Sequence, residues 1–106
     1  MIINICKDFS DTPGARCRSD GPFSGEEFRE TLLKPRFLEA TTKNEELIIE
    51  LDGGYGYPTS FLEEAFGGLA REFGHIKVKQ VLRFISNDEP SLIEEILSYI
   101  SSVDKG

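Results

Sequence analysis

Apolar positions along the chain fall into short β-branched runs and longer stretches that recur every three to four residues, with polar or glycine-rich punctuation between them. Residues 2–6 (I-I-N-I-C) form a β-rich run, and Asp11-Thr12-Pro13-Gly14 has the turn chemistry for a reversal into residues 15–18, so an N-terminal hairpin is expected. Gly21-Pro22 breaks the chain again. Ser24 followed by Glu27 has the capping-box spacing, in which the hydroxyl meets the third helical N–H and the carboxylate reaches back; a helix should start at Ser24. Phe28, Leu32 and Leu33 share one stripe of it. Pro35 removes an N–H and clashes with the carbonyl four residues back, which predicts a kink or restart before helical character resumes to about Ala40.

Residues 47–51 (L-I-I-E-L) have the pattern of an interior strand with Glu50 as its one polar interruption, and glycines at 53, 54 and 56 end it. From Thr59 a second helix carries Leu62, Ala65, Phe66, Leu69 and Phe73 on one face, with Gly74 as its stop. Gly67-Gly68 in its middle costs about 1 kcal/mol per glycine relative to alanine, which points to close backbone packing there. Residues 81–85 read as a fourth strand. After S-N-D-E-P, Leu92, Ile93, Ile96, Leu97 and Ile100 mark a last amphipathic helix, expected to pack on the sheet. The helices are expected near 24–40, 59–73 and 89–102. The order β-β-α-β-α-β-α predicts an α/β fold with a mixed four-stranded sheet covered by helices.

The length of 106 residues fits one domain. Twelve Lys+Arg against nineteen Asp+Glu give a formal charge of −7, which repels a phosphate backbone or an anionic membrane surface unless the basic residues cluster. They do not: the most basic stretch, Arg71 to Arg83, has no interleaved stacking aromatic apart from Phe73 and reads as a helix end plus solvated loop, with His75 exposed after the cap. No apolar run reaches the ~18–20 residues of a membrane span, and Lys7 and Asp8 interrupt where a signal peptide would continue, so a cytoplasmic protein is expected. Cys6 and Cys17 fit neither a zinc spacing nor a C-x-x-C pair and read as reduced thiols. No metal site or cofactor is expected.

The most informative segment is D-G-G-Y-G-Y-P-T-S-F, residues 52–61, between the carboxyl end of a strand and a helix N-terminus, where open α/β sheets concentrate binding. It completes neither a P-loop nor a dinucleotide fingerprint. Gly53, Gly54, Tyr55, Gly56, Tyr57 and Pro58 form a candidate partner- or anion-binding loop. Thr59 and Ser60 have two readings, helix caps or phosphoacceptors set against helical N–H groups. Arg16, Arg18, Ser19 and Ser24 form a secondary loop able to present an arginine to a phosphate. Cys17 lacks the arginine spacing of a phosphatase loop and no hydrolase triad is apparent, so no catalytic residue is assigned.

The run L-I-I-E-L-D-G-G-Y-G-Y-P-T-S-F-L-E-E-A-F-G-G-L resembles the central strand, loop and helix of the STAS domain, shared by sulfate transporters and anti-sigma-factor antagonists. More closely, the chain resembles a bacterial STAS-like family of unknown function, through D-F-S-D-T-P-G-A-R, S-D-G-P-F-S-G-E-E-F-R and F-I-S-N-D-E-P-S-L-I-E-E-I. In STAS proteins a serine of the loop is phosphorylated by a partner kinase related to histidine-kinase ATPases. Aligned on that loop, Ser60 stands at the second serine, Thr59 at the first, Pro58 at the aspartate and Phe61 at the glycine. The resemblance implies a regulatory protein-binding module, monomeric or weakly dimeric, that docks on such an ATPase or anti-sigma-type kinase, with Ser60 ahead of Thr59 as phosphoacceptor. Two other classes stay open: a small-molecule or nucleotide-binding domain using the glycine-rich loop, and a subunit of an assembly joined through the apolar side of the last helix.

Overall fold

The computed structural model describes residues 1–103. Strands β1 (Ile2–Asn4), β2 (Leu47–Glu50) and β3 (Leu82–Ile85) form one parallel sheet in that order. Ile2, Ile48 and Arg83 lie abreast, as do Asn4, Glu50 and Ile85. The mixed four-stranded sheet is therefore corrected to three parallel strands, because the N-terminal hairpin does not form. Asn4 instead caps α1 (Ile5–Asp8): its Oδ1 accepts the Lys7 N–H at 3.0 Å, and Asp8 Oδ2 accepts the N–H of Asn4 at 2.8 Å. Short polar side chains that bond locally divert a backbone from a ladder. The Ala15 and Arg16 carbonyls in turn accept the Gly25 and Glu26 N–H groups, at 2.9 and 3.0 Å, so residues 15–16 serve the start of a helix rather than a strand.

That helix runs through α2 (Gly25–Phe28), a π turn (Arg29–Leu33) and α3 (Lys34–Lys43). Ser24 Oγ accepts the Glu27 N–H at 3.0 Å as expected, while the Glu27 carboxylate reaches past the cap to the Phe23 N–H at 3.1 Å. Ser24 is thus a buried cap and not part of an exposed loop. The irregularity expected at Pro35 takes the form of the π turn just ahead of it, where the Lys34 N–H bonds back to Arg29. A wider turn accommodates a residue that has no N–H and crowds the turn before it. Asn44, with φ 58° and ψ 44°, ends the helix.

The second connection comprises α4 (Thr59–Leu62), a π turn (Glu63–Gly67) and α5 (Gly68–Phe73). Gly74 turns the chain with φ 89° and ψ 145°. A further helix, α6 (His75–Val81), follows, burying Val78 and Val81. The solvated loop expected there is thus corrected, and the last strand starts at Leu82 rather than Val81. The period-two spacing of Ile76, Val78 and the flanking lysines conceals a helix whose apolar contact is only Val78 and Val81. Helix α7 (Ser91–Ser101) buries Leu92, Ile96 and Ile100, with Ile93 half-buried. It packs mainly on the Glu63–Gly67 turn, α5 and α6 rather than on the sheet. Its apolar side is consumed inside the chain, which removes the surface on which the assembly reading rested.

Successive right-handed crossovers that step in one direction across a sheet carry both connections over the same face. Burial alternates accordingly. Ile3, Leu47, Ile49 and Leu82 are buried under the helices, whereas Ile2 and Ile85 are exposed on the other side and Ile48 and Glu50 only half-buried. The core on the covered face joins Ile3 and Ile49 to Phe28, Phe61, Phe66 and Ile96, all at 1% exposure or less. Replacing Ile96 with alanine should destabilise the chain by about 2–5 kcal/mol, the range for truncating a fully buried aliphatic side chain. Urea unfolding of wild type and Ile96→Ala checks this; a loss below about 0.5 kcal/mol would be that of a surface position.

Candidate functional site

The loop from Asp52 to Pro58 leaves the carboxyl end of the central strand and is tied down on three sides. On one, the Asp52 carboxylate accepts the backbone N–H groups of Asn87 and Asp88, both at 2.8 Å, and the Asn87 side-chain amide at 3.0 Å. Asp88 returns the contact by accepting the Gly53 N–H at 3.2 Å. The Asp88 N–H, and after it Asn87, hold the Asp52 carboxyl below its ordinary range. On the second side, the Cys6 thiol donates to the Gly53 carbonyl at 3.2 Å and the Tyr55 N–H donates to the Asp11 carbonyl at 3.0 Å. A Cβ at Gly54 would stand 3.1 Å from that same Asp11 oxygen, so the two loops touch backbone to backbone. On the third, the Tyr57 hydroxyl donates to the Leu51 carbonyl at 2.8 Å and its ring meets Phe61 at 6.1 Å. Burial, aided by the negative charge of Asp52, pushes the Tyr57 phenol well above its ordinary range, so it remains a donor.

Between this loop and residues 86–89 lies an open groove of about 140 Å³, lined by Leu51, Tyr55, Tyr57, Ser86, Asp88, Glu89 and Leu92. Tyr55 projects from it, 86% exposed. Its two carboxylates oppose an anion, so the geometry disfavours the nucleotide form of a ligand site.

Pro58, not a hydroxyl residue, is the N-cap of α4, with no side-chain capping bond. Thr59 is exposed, and Ser60, which follows it, is half-buried. The cap reading of Thr59 and Ser60 is thereby corrected: both lie inside the first turn. Phe61 turns inward and is fully buried against Phe28 and Phe9.

One turn further, Glu63 and Glu64 gather three arginines. Arg16 binds both carboxylates, Arg71 binds Glu63 at 2.6 Å, and Arg29 binds Glu64 at 2.5 Å and the Glu64 carbonyl at 2.7 Å. Arg71, then Arg16, keep the Glu63 carboxyl below its usual range, and Glu63 raises that of Arg16. The structure thus brings Arg16 beside the helix that carries Thr59 and Ser60. Arg18 instead pairs with Glu30 at 3.0 Å, Ser19 sits in the short 3-10 turn Arg18–Asp20, and Ser24 is internal, so these three do not join the site. Both cysteines are free, and burial pushes the Cys17 thiol up. Asp52, Asn87 and Asp88 were not among the expected site residues. An aspartate directly after a strand and before two glycines is a signal for them, as is S-N-D, which reads equally well as a helix start.

The fold and site define a three-stranded parallel α/β module with a rigid glycine-rich loop and a hydroxyl pair at the ends of its strands. The family model of the STAS-like domain of unknown function (DUF4325) matches residues 24–92, and the chain belongs to that family. No curated protein and no solved structure matches the chain. Among the described residues no helix is long and apolar enough to cross a membrane.

Because the Asp52 carboxyl titrates below its ordinary value of 3.8 in the folded chain, its bonds stabilise the fold above that pH, and the gain is lost as pH falls through the depressed value. Denaturant midpoints of wild type and Asp52→Asn should therefore differ at pH 7 and converge below about pH 4. A gap independent of pH would assign the effect to shape rather than charge.

Proposed function

We propose that the chain is a regulatory protein-binding module of the anti-sigma-factor-antagonist kind, docking on a histidine-kinase-like ATPase through residues 53–60 and the helix that follows. Phosphorylation of Ser60, or failing that Thr59, is its switch. The observation that carries this reading is that neither hydroxyl caps the helix: Pro58 is the cap, while Thr59 and Ser60 stand in the first turn beside a loop held on three sides. A phosphate there adds about −1.5 to −2 charge to a surface that already carries Asp88 and Glu89, which disfavours a flush apolar contact by charge and desolvation. The module works by binding, with no cofactor and no catalytic residue. The groove beside Tyr55 supports a second reading, a small-ligand site, in which its carboxylates select an uncharged or cationic molecule.

With a histidine-kinase-like ATPase of the native host as bait, Ser60→Ala should bind as wild type does. Ser60→Asp should bind more weakly, and the directly phosphorylated chain more weakly still, since aspartate mimics phosphate poorly. Calorimetry of the three forms, with mass spectrometry of Ser60 and Thr59 after incubation with ATP, checks this. Equal affinities and no phosphate would remove the switch. Stabilisation by a small molecule in a thermal-shift screen, about 2.7 kcal/mol at a hundredfold excess over its dissociation constant, would favour the ligand reading.

A further inference from the structure

Parallel sheets occur almost only with both faces covered, yet among the described residues one face of this sheet carries no helix. On it Ile2 (54% exposed), Ile48 and Arg83 lie abreast, and in the next row Glu50 on the central strand lies between Asn4 and Ile85 (38%). Ile48 is not part of the hydrophobic core, although it lies mid-strand between two residues that are. Arg83 is neutralised by Glu46 at 2.8 Å. Glu50 has no ion-pair partner among the described residues, and it stands half-buried at the end of the central strand, beside Ile85 and next along the face from Ile48.

We propose that this face seats one amphipathic helix of a partner protein, with an apolar stripe on Ile2, Ile48 and Ile85 and a lysine or arginine on Glu50. Size and charge both select that occupant. Three strands at about 4.8 Å spacing span roughly 14 Å, the width of a single helix with its side chains at about 10–12 Å. A stable dimer needs about 800 Å² from each partner, more than so small a sheet presents. A second copy would also bring another −7 of charge and another unpaired Glu50 to the contact, whereas a basic helix meets both favourably. This surface is distinct from the loop at 53–60, so its occupancy does not depend on the state of Ser60.

The test is a display library on a helical scaffold with randomised surface positions, selected on the wild-type chain. Enriched helices are then measured by fluorescence anisotropy on wild type, Ile48→Asp and Glu50→Lys. Ile85→Asp, at an edge-strand position, serves as a second apolar variant should Ile48→Asp not fold. The expected binders carry apolar residues at i, i+3 or i+4, and i+7 beside Lys or Arg. The aspartate variant should abolish binding, and Glu50→Lys should weaken it at least about tenfold. Exchanging the binder's facing cation for glutamate should restore affinity for Glu50→Lys. Binders indifferent to these variants, or no enrichment at all, would overturn the proposal. So would a concentration-dependent dimer in sedimentation that Ile48→Asp dissolves, because a second copy would then be the occupant.

Discussion

Two helical connections laid over the same face of a narrow sheet must pack on each other as well as on the strands, and Arg29 is the contact on which that packing depends. Its side chain is 15% exposed and donates to both the carboxylate and the backbone carbonyl of Glu64, itself 17% exposed. A guanidinium at that depth is tolerable only when paired, so removing Glu64 strands the Arg29 charge, whereas Glu64 keeps Arg16 when Arg29 is removed. The backbone adapts to the pair. Each partner lies in a π turn, and a Cβ at Gly68 would collide with the Arg29 guanidinium, while one at Gly67 would stand 2.7 Å from the Glu63 carboxylate. Gly25 allows the same intimacy nearby, where a Cβ would stand 2.5 Å from the Phe61 carbonyl. The helix propensity lost at Gly68 is therefore the consequence of a cation threaded between two helices, and that lost at Gly67 makes room for the Glu63 carboxylate.

This lock sets the position of α4 relative to the strand ends, and the site follows from it. With α4 held at Glu64, and the β3–α7 loop held by Asp52, the chain from 52 to 60 has both ends fixed. Tyr57 fixes its middle by bonding the carbonyl that leaves the strand. The loop is thus a preformed surface, and preformed surfaces lose little ordering entropy when a partner binds. Arg16 reaches the same helix through Glu63 and Glu64, so the N-terminal segment braces the site and not merely the sheet.

What the sequence disclosed, and what it concealed, separates along the same line. The central strand, the loop and the helix after it were legible, because hydrophobic period and glycine punctuation agreed there. Gly67-Gly68 announced a close approach, though not that a guanidinium makes it. The hairpin was misread because Ile2 to Cys6 has β propensity throughout, and only the local bonds of Asn4 and Asp8 turn its second half into a helix. Helix α6 was hidden because seven residues with two buried valines have too short an apolar stripe to outweigh alternation. Pairings distant in sequence, such as Asp52 with Asn87 and Arg16 with Glu63, leave no local period, and no pattern along a single chain reveals them.

The rule that builds the site also builds the bare face. Two crossovers of one hand, stepping the same way, stack every helix on one side and bring both connecting loops to the carboxyl end of the strands. The hydroxyl pair and the glycine-rich loop stand on the rim of the sheet, and Ile48 and Glu50 stand on its back. Along β2 the side chains alternate, so Leu47 and Ile49 anchor the strand to the helices while Ile48 and Glu50 face away from them. Four consecutive residues thereby serve the core and an open surface at once, and Asp52, two residues beyond, ties the rim to the next strand's loop. A substitution on the back that keeps strand propensity should leave Leu47, Ile49 and the Asp52 contacts intact, and for that reason the two surfaces can be separated by mutation even though one strand carries both.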